Sequence, residues 1–297
     1  MLTRAKRRQI EGWLLLTPVL SVMAVVTLYP LLRTVWLSFT DASLPVGRVP
    51  PQWIGFENYA YVLTDPDFLD ALIRTLHFTL GSVGGELVLG VLVGLLLNQK
   101  FRGRALVRSI VILPWALPTI VNAMLWRLIY NPEYGSLNAF LTEIGLLDQY
   151  RSWLGDPHIV MNMVILADVW KNYAIVALVV LAALQTIPNE LYEAMRIDGA
   201  GVWSRFWRLT VPGILGPLTV AMVLRLIDAF RVFDIIFVMT RGGPADATKT
   251  LSFFVYQESF AFLRAGSGAS YAVLVAIMSA ILIAAYIFLL KRQDTLT

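Results

Sequence analysis

Several ionisable side chains stand inside otherwise apolar stretches of this 297-residue sequence, among them Glu86, Asp168, Lys171, Arg225, Asp228, Arg231 and Asp234. An ionised group at the centre of a bilayer costs about 2.5–3.5 kcal/mol on insertion scales, so such groups face a packed interior or a wet cavity. The last four alternate in sign at steps of three, which predicts neighbours on one slowly drifting helical stripe, paired into a continuous polar seam. Trp170, Asn172 and Tyr173 beside Asp168 and Lys171 combine rings with hydrogen-bonding groups, a mixture suited to a hydroxyl-rich solute. Asn122 and Arg127 are further polar residues in an apolar run. For any one of these residues two readings stay open. It could line a solute path, or it could form internal ion pairs that fix helix packing, with snorkelling toward a boundary as another outcome, above all for Arg127. As a set they favour a path, whose candidate residues are Asn122, Asp168, Trp170, Lys171, Asn172, Tyr173, Arg225, Asp228, Arg231 and Asp234.

Other chemistries are poorly supplied. The chain has no cysteine, which excludes thiolate nucleophiles, disulfides and cysteine metal sites. It has no Gly-x-x-x-x-Gly-Lys-[Ser/Thr] and not even a Gly-Lys dipeptide, so it carries no phosphate-binding loop of its own. Ser267, within Gly266-Ser267-Gly268, could be a nucleophile only with a base in hydrogen-bond reach. The only two histidines, His77 and His158, fall near span ends, and turn chemistry explains Gly266 and Ser267 better. No catalytic residue, metal site or bound cofactor is expected on this chain.

The elements that must hold the polar residues are written in the composition. Hydrophobic residues make up 58% of the chain and charged ones only 15%, against about 25% charged in an ordinary soluble domain. The apolar residues come in six blocks, 13–32, 76–97, 106–129, 159–183, 214–239 and 271–290, each near the roughly 20 residues a helix needs to cross the hydrocarbon core. The expected fold is an all-α integral membrane protein with six transmembrane helices. With alternating spans, one side carries Arg4, Lys6, Arg7, Arg8, Lys100, Arg102, Arg104, Arg108, Arg196, Arg205, Arg208, Lys291 and Arg292. The other carries Arg48, Arg151, Arg241, Lys249 and Arg264, and by the positive-inside rule both termini face the cytoplasm. The net charge of +4 is then a matter of orientation, and no nucleic-acid partner is needed to explain it. The N-terminal apolar run continues too far for a cleaved signal peptide. Gly81-x-x-x-Gly85 and Gly90-x-x-x-Gly94 in the second span, and Ala272, Ala276, Ala280 and Ala284 in the last, predict tightly packed interior helices. Pro18, Pro30, Pro114 and Pro118 predict kinks or breaks in the first and third spans.

The stretch between the fourth and fifth blocks, about 185–212, reads as two short amphipathic helices at a glycine bend. Pro188 suits a first turn, Glu190 and Glu193 sit near its positive end, and Gly199 is a left-handed stop. After Gly201, the residues Trp203, Phe206 and Trp207 share one face, and Pro212 closes the segment before the fifth span. Such a pair makes a rigid knob, or an anchor lying on lipid headgroups.

Glu193-Ala194-Met195, Asp198-Gly199-Ala200, Phe206 and Leu209-Thr210-Val211-Pro212 resemble the EAA loop of binding-protein-dependent ABC importer permeases, E-A-A-x-x-D-G-A, F, I-x-L-P. Met195, Leu209 and Val211 depart from the usual Ala, Ile and Leu, conservatively in size and polarity. Gly55-Phe56-Glu57-Asn58-Tyr59, Leu113-Pro114 with Ala116, Asn131-Pro132 with Gly135 and Asn138, and Gly242-Gly243-Pro244 with Thr248 and Thr250 are similar to sugar permeases of the same family, in order along nearly the whole chain. The Gly-Gly-Pro segment resembles the first permease of the pair in carbohydrate and glycerol-phosphate systems.

This resemblance implies a type I importer (MetI-like) subunit of a bacterial or archaeal cytoplasmic membrane. Residues 1–12 would be a cytoplasmic tail, 13–290 the transmembrane domain and 291–297 a second tail. Its partners would be a second homologous permease, two copies of a cytoplasmic ATP-binding subunit that carries ATP and Mg, and an extracytoplasmic solute-binding protein. Glu193, Ala194, Asp198, Gly199, Ala200, Phe206 and Pro212 would form the coupling knob, and closure of the ATPases would rotate the spans between inward and outward access. The expected cargo is a neutral mono-, di- or oligosaccharide, with glycerol phosphate or a polyol as the alternative. An ion-coupled secondary transporter is the rival class, although no repeated halves are visible.

Overall fold

The computed structural model describes residues 4–45 and 50–294. Arg48 and the outermost parts of both expected tails, 1–3 and 295–297, lie outside the described residues. The described chain is helical, with one isolated bridge between Thr40 and Trp53. In order the helices are α1 (Arg4–Met23), α2 (Tyr29–Leu37), α3 (Glu57–Thr64), α4 (Pro66–Asn98), α5 (Arg104–Ala116), α6 (Thr119–Ile129), α7 (Ser136–Glu143), α8 (Val160–Thr186), α9 (Asn189–Ile197), α10 (Val202–Arg205), α11 (Val211–Phe230), α12 (Asp234–Met239), α13 (Leu251–Tyr256) and α14 (Ala265–Asp294). Short π-helical turns at Ala24–Leu28, Phe206–Thr210 and Gln257–Ala261 follow α1, α10 and α13.

Among the described residues, five stretches are long and apolar enough to cross a bilayer on their own: Trp13–Leu37, Pro66–Asn98, Val160–Thr186, Val202–Phe230 and Ala265–Phe288. The pair α5 and α6, bent by 98°, makes a sixth where the two helices count as one broken span. Proline chemistry makes that break. Pro118 forces Leu117 out of the helical region, and the two residues stand extended at ψ 136° and 141°. The first span, by contrast, runs without a break. Pro30 sits in the first turn of α2, directly after the π turn in which the Tyr29 amide donates to Ala24 O.

Two compact units are distinguishable, 1–68 with 254–277, and 69–253 with 278–297. In the second, α8 packs against α5, α6, α11 and α12 and is the most enclosed helix. The glycines of α4 let it approach α8 closely. A Cβ on Gly90 would lie 2.5 Å from Val176 Cβ, and one on Gly94 would lie 2.7 Å from Val180 Cγ1. Gly81 and Gly85 meet Ile165 and Val169 in the same manner, so the small-residue expectation for this span holds. The alanine ladder of α14 behaves otherwise: Ala276, Ala280 and Ala284 are exposed and Ala272 is only half-buried. That ladder is therefore not interior packing within this chain, because small residues permit close approach without deciding which helix approaches.

The fifth apolar block is also corrected. Its helix ends at Phe230, residues 231–233 are irregular, and α12 starts a new axis at Asp234. The four alternating charges thus do not share one helical stripe. Likewise α10, the following π turn and α11 form one continuous run, so Pro212 opens the first turn of α11 and closes nothing.

In the first unit, Asn58 Nδ2 donates to the carbonyls of Ser38 (3.0 Å) and Thr40 (2.8 Å), and the amide of Gly266 donates to Ala42 O at 2.9 Å. Ser267 is buried in this turn, and no histidine belongs to that unit. Tyr271 stacks on Phe254 at 5.6 Å.

Candidate functional site

The polar centre of the second unit is built from α4, α8 and α11. Arg225 reaches from α11 to Glu86 on α4 with two parallel bonds, Nε to Oε2 at 2.6 Å and Nη2 to Oε1 at 2.7 Å, the fork geometry that makes guanidinium–carboxylate pairs strong. Nη2 also stands 3.4 Å from Asp168 Oδ2 on α8, and Nη1 is 3.5 Å from Asp228 Oδ2, one turn along α11. The Ser82 hydroxyl bridges the carboxylates of Asp168 and Glu86, and Asn172 Nδ2 donates to Asp168 Oδ1 at 2.9 Å. Glu86 is fully buried, and Arg225 and Asp168 nearly so. Burying two carboxylates around one guanidinium is tolerable only because most of their lone pairs and protons are used.

In front of this cluster opens a cavity of about 370 Å³, within the range of about 300–1,000 Å³ typical of small-molecule sites. Of the ten path candidates, seven line it: Asp168, Lys171, Asn172, Arg225, Asp228, Arg231 and Asp234. The irregular segment after α11 is what turns Arg231 and Asp234 into the lining beside Asp228, in place of the expected seam. The other three stand elsewhere. Asn122 is fully buried and donates to Ala167 O at 3.2 Å, tying α6 to α8. Trp170 packs edge-on against Trp126 at 5.8 Å, and Tyr173 is half-buried outside the lining. Arg127 donates to Val238 O at 3.1 Å. Nothing in the sequence singled out a partner for Glu86 or marked Ser82, Trp115 and Thr119 as members of the site. Glu86 and Arg225 are 139 residues apart, and nothing local pairs them.

The segment 185–212 forms a separate candidate site. Pro188 caps α9, Glu190 lies in its first turn and Arg196 in its last. Asp198-Gly199-Ala200 is a Schellman stop: the amide of Ala200 donates to Met195 O at 2.8 Å, that of Gly199 to Arg196 O at 3.1 Å, and Gly199 stands at φ +79°. Glu193, Ala194 and Asp198 are exposed, as is Ile197 at 87%. The knob is tied down from beneath by Tyr192 Oη and Thr210 Oγ1 at 3.0 Å. Phe206 is half-buried between Trp203 and Trp207, in edge-on contacts at 6.2 and 5.1 Å.

Several motif residues prove to be loop staples. Asn138 donates to Asn131 O and Arg151 O and accepts from Trp153 Nε1 at 2.8 Å. Thr248 Oγ1 donates to Gly243 O at 3.0 Å, and Thr250 Oγ1 to Val232 O at 3.2 Å. In the loop before α8, Asp156 accepts from the His158 amide at 2.9 Å and from Arg151 Nη2 at 2.7 Å, and these two bonds, the backbone one first, hold its carboxyl below the usual carboxylate range.

A buried ion cluster behind a polar cavity, set among membrane-crossing helices with an exposed helical knob, defines a membrane transport component. Residues 86–295 match the family described as binding-protein-dependent transport system inner membrane component, and the chain belongs to that family. It is a multi-pass inner-membrane permease subunit of an ABC importer, with ATP hydrolysis carried by a separate subunit. It is 40% identical over 82% of its length, and 82% of the relative's, to the trehalose/maltose transport system permease protein of Thermococcus litoralis. It is 35% identical to the sulfoquinovosyl glycerol transport system permease protein of Agrobacterium fabrum, covering 95% of this chain and 90% of that one. The sn-glycerol-3-phosphate transport system permease protein of Pectobacterium atrosepticum is 33% identical, with 90% of each covered. Among solved structures, a bacterial ABC transporter involved in import of the acidic polysaccharide alginate superposes with a TM-score of 0.83 at 23% identity, over 98% of this chain and 99% of that one. A second alginate transporter structure, in complex with an alginate pentasaccharide-bound periplasmic protein, gives 0.81 over 94% and 93% at the same identity.

Proposed function

We infer that this permease, whose transmembrane domain would be residues 13–290, passes a neutral saccharide through the cavity beneath α8 and α11, handed over by an extracytoplasmic binding protein. The observation that carries the cargo class is the charge balance of the lining. Lys171, Arg225 and Arg231 face Asp168, Asp228 and Asp234, so hydrogen-bonding groups of both kinds are on offer without the surplus of cations a phosphate would need. The 40% identity to a trehalose/maltose permease supports the same class. The termini and the segment 185–212 lie in the cytoplasm by the distribution of basic residues. There α9, with Glu193 and Ala194 exposed and Gly199 and Ala200 completing its stop, docks onto one of two ATP-binding subunits that hold ATP and Mg. A second homologous permease completes the pathway.

The test is reconstitution of the chain with its partner permease, ATPase and binding protein in proteoliposomes, followed by uptake of radiolabelled maltose, trehalose and glycerol 3-phosphate. ATP-dependent uptake of a disaccharide is expected. Glu193→Ala and Gly199→Ala should lower ATPase association or coupled uptake while the spans still insert. Uptake of glycerol 3-phosphate alone would reverse the cargo assignment, and uptake without the ATPase, driven by a proton or sodium gradient, would identify a secondary transporter.

A further inference from the structure

We propose that Trp115 is the stacking wall against which a sugar ring lies in this cavity, and that it gives the site its preference for ring-shaped solutes over compact anions; the proposal rests on the saccharide reading above. Trp115 belongs to the last turn of α5, and the extended Leu117-Pro118 break then swings the chain by 98°, so that Trp115 and Thr119, on either side of the break, both line the cavity. Trp115 is 46% exposed. Among the described residues no ring packs on it and no hydrogen bond engages its N–H, whereas Trp170 is spent on Trp126 and Phe233 is stacked on Phe237 at 5.3 Å. Trp115 is thus an aromatic face left open toward a polar lining.

That pairing matches the chemistry of a pyranose. Such a ring has apolar C–H faces, which the negative face of an indole attracts, and an equator of hydroxyls. Lys171, for which no ion pair is formed among the described residues, and the amide of Asn172 can serve the equator. A phosphate ester as small as glycerol phosphate offers no such face and gains nothing from the ring.

The absence of cysteine makes the test direct, since Trp115→Cys introduces the only thiol on this chain. In the reconstituted complex, Trp115→Phe should import maltose or trehalose within about threefold of the wild type, while Trp115→Leu, which keeps bulk but loses the π face, should fall about five- to tenfold. The thiol of Trp115→Cys should react with a membrane-impermeant methanethiosulfonate reagent, and disaccharide-loaded binding protein with ATP should slow that reaction. Equal uptake by the Leu and Phe variants would reduce Trp115 to a space filler, and an unreactive thiol would place it against lipid; either result overturns the proposal. Lys171→Gln and Asp228→Asn separate the two levels. If they lower uptake while Trp115→Leu does not, the stacking wall alone is wrong. If all three leave uptake untouched, or the wild type imports no disaccharide, the cavity reading falls with it.

Discussion

Replacing Arg225 by Met would leave Glu86, fully buried, and Asp168, almost so, as neighbouring carboxylates with no guanidinium between them. Removing one partner of a buried pair costs about 3–5 kcal/mol, most of it the penalty of the charge left behind. Glu86→Gln is expected to cost less, about 1–3 kcal/mol, because Arg225 keeps Asp168 at 3.4 Å and Asp228 at 3.5 Å while the amide replaces a charge-assisted bond. The double variant removes both bonds of the fork together with the stranded charge, so it should be milder than the sum, with a coupling of about 2 kcal/mol or more. Asp168 would still be held by Ser82 and Asn172. The measurement is a double-mutant cycle on the detergent-solubilised subunit, following loss of helicity and Trp fluorescence across an SDS titration, with membrane insertion checked first. Costs that add to within about 0.5 kcal/mol would refute the reasoning, since independent sites behave that way and a shared buried fork cannot.

Gly90→Val should insert yet separate α4 from α8, because even a Cβ would sit 2.5 Å from Val176 Cβ; the loss should be about 1–3 kcal/mol in the same titration, and Val176→Ala should return part of it. Asp156, whose carboxyl is held low in the folded loop, stabilises that loop above the ordinary carboxylate value. The contribution disappears as pH falls through the lower folded value, so hydrogen exchange across 151–158 should quicken in acid for the wild type and be fast and pH-independent, once corrected for intrinsic exchange, in Asp156→Asn.

Hydropathy and local stereochemistry were enough for much of this protein. Runs of about twenty apolar residues have no option in lipid but to satisfy their own amides, so the spans are legible without any neighbour. Pro118 had to break the third apolar block, and Asp198-Gly199-Ala200 had to stop α9, because both effects act within a few residues along the chain. The close approach promised by Gly81, Gly85, Gly90 and Gly94 was legible as a capacity; that α8 is the helix that uses it was not.

What only the tertiary structure decided is which distant groups meet. The spacing of Arg225 to Asp228 invited a pair along their own helix, and that pair forms at 3.5 Å. The two shortest bonds of Arg225 nevertheless go to Glu86, because a fully buried carboxylate across the interface offers a bidentate partner, while the Asp228 side chain is mostly exposed. The chain break at 231–233 then brings Arg231 and Asp234 into a cavity lining that no helical wheel contains. Sequence thus determined that charges lie within the membrane and where along the chain they stand. The three-dimensional packing chose their partners, since desolvation and fork geometry depend on contacts between helices rather than on spacing within one.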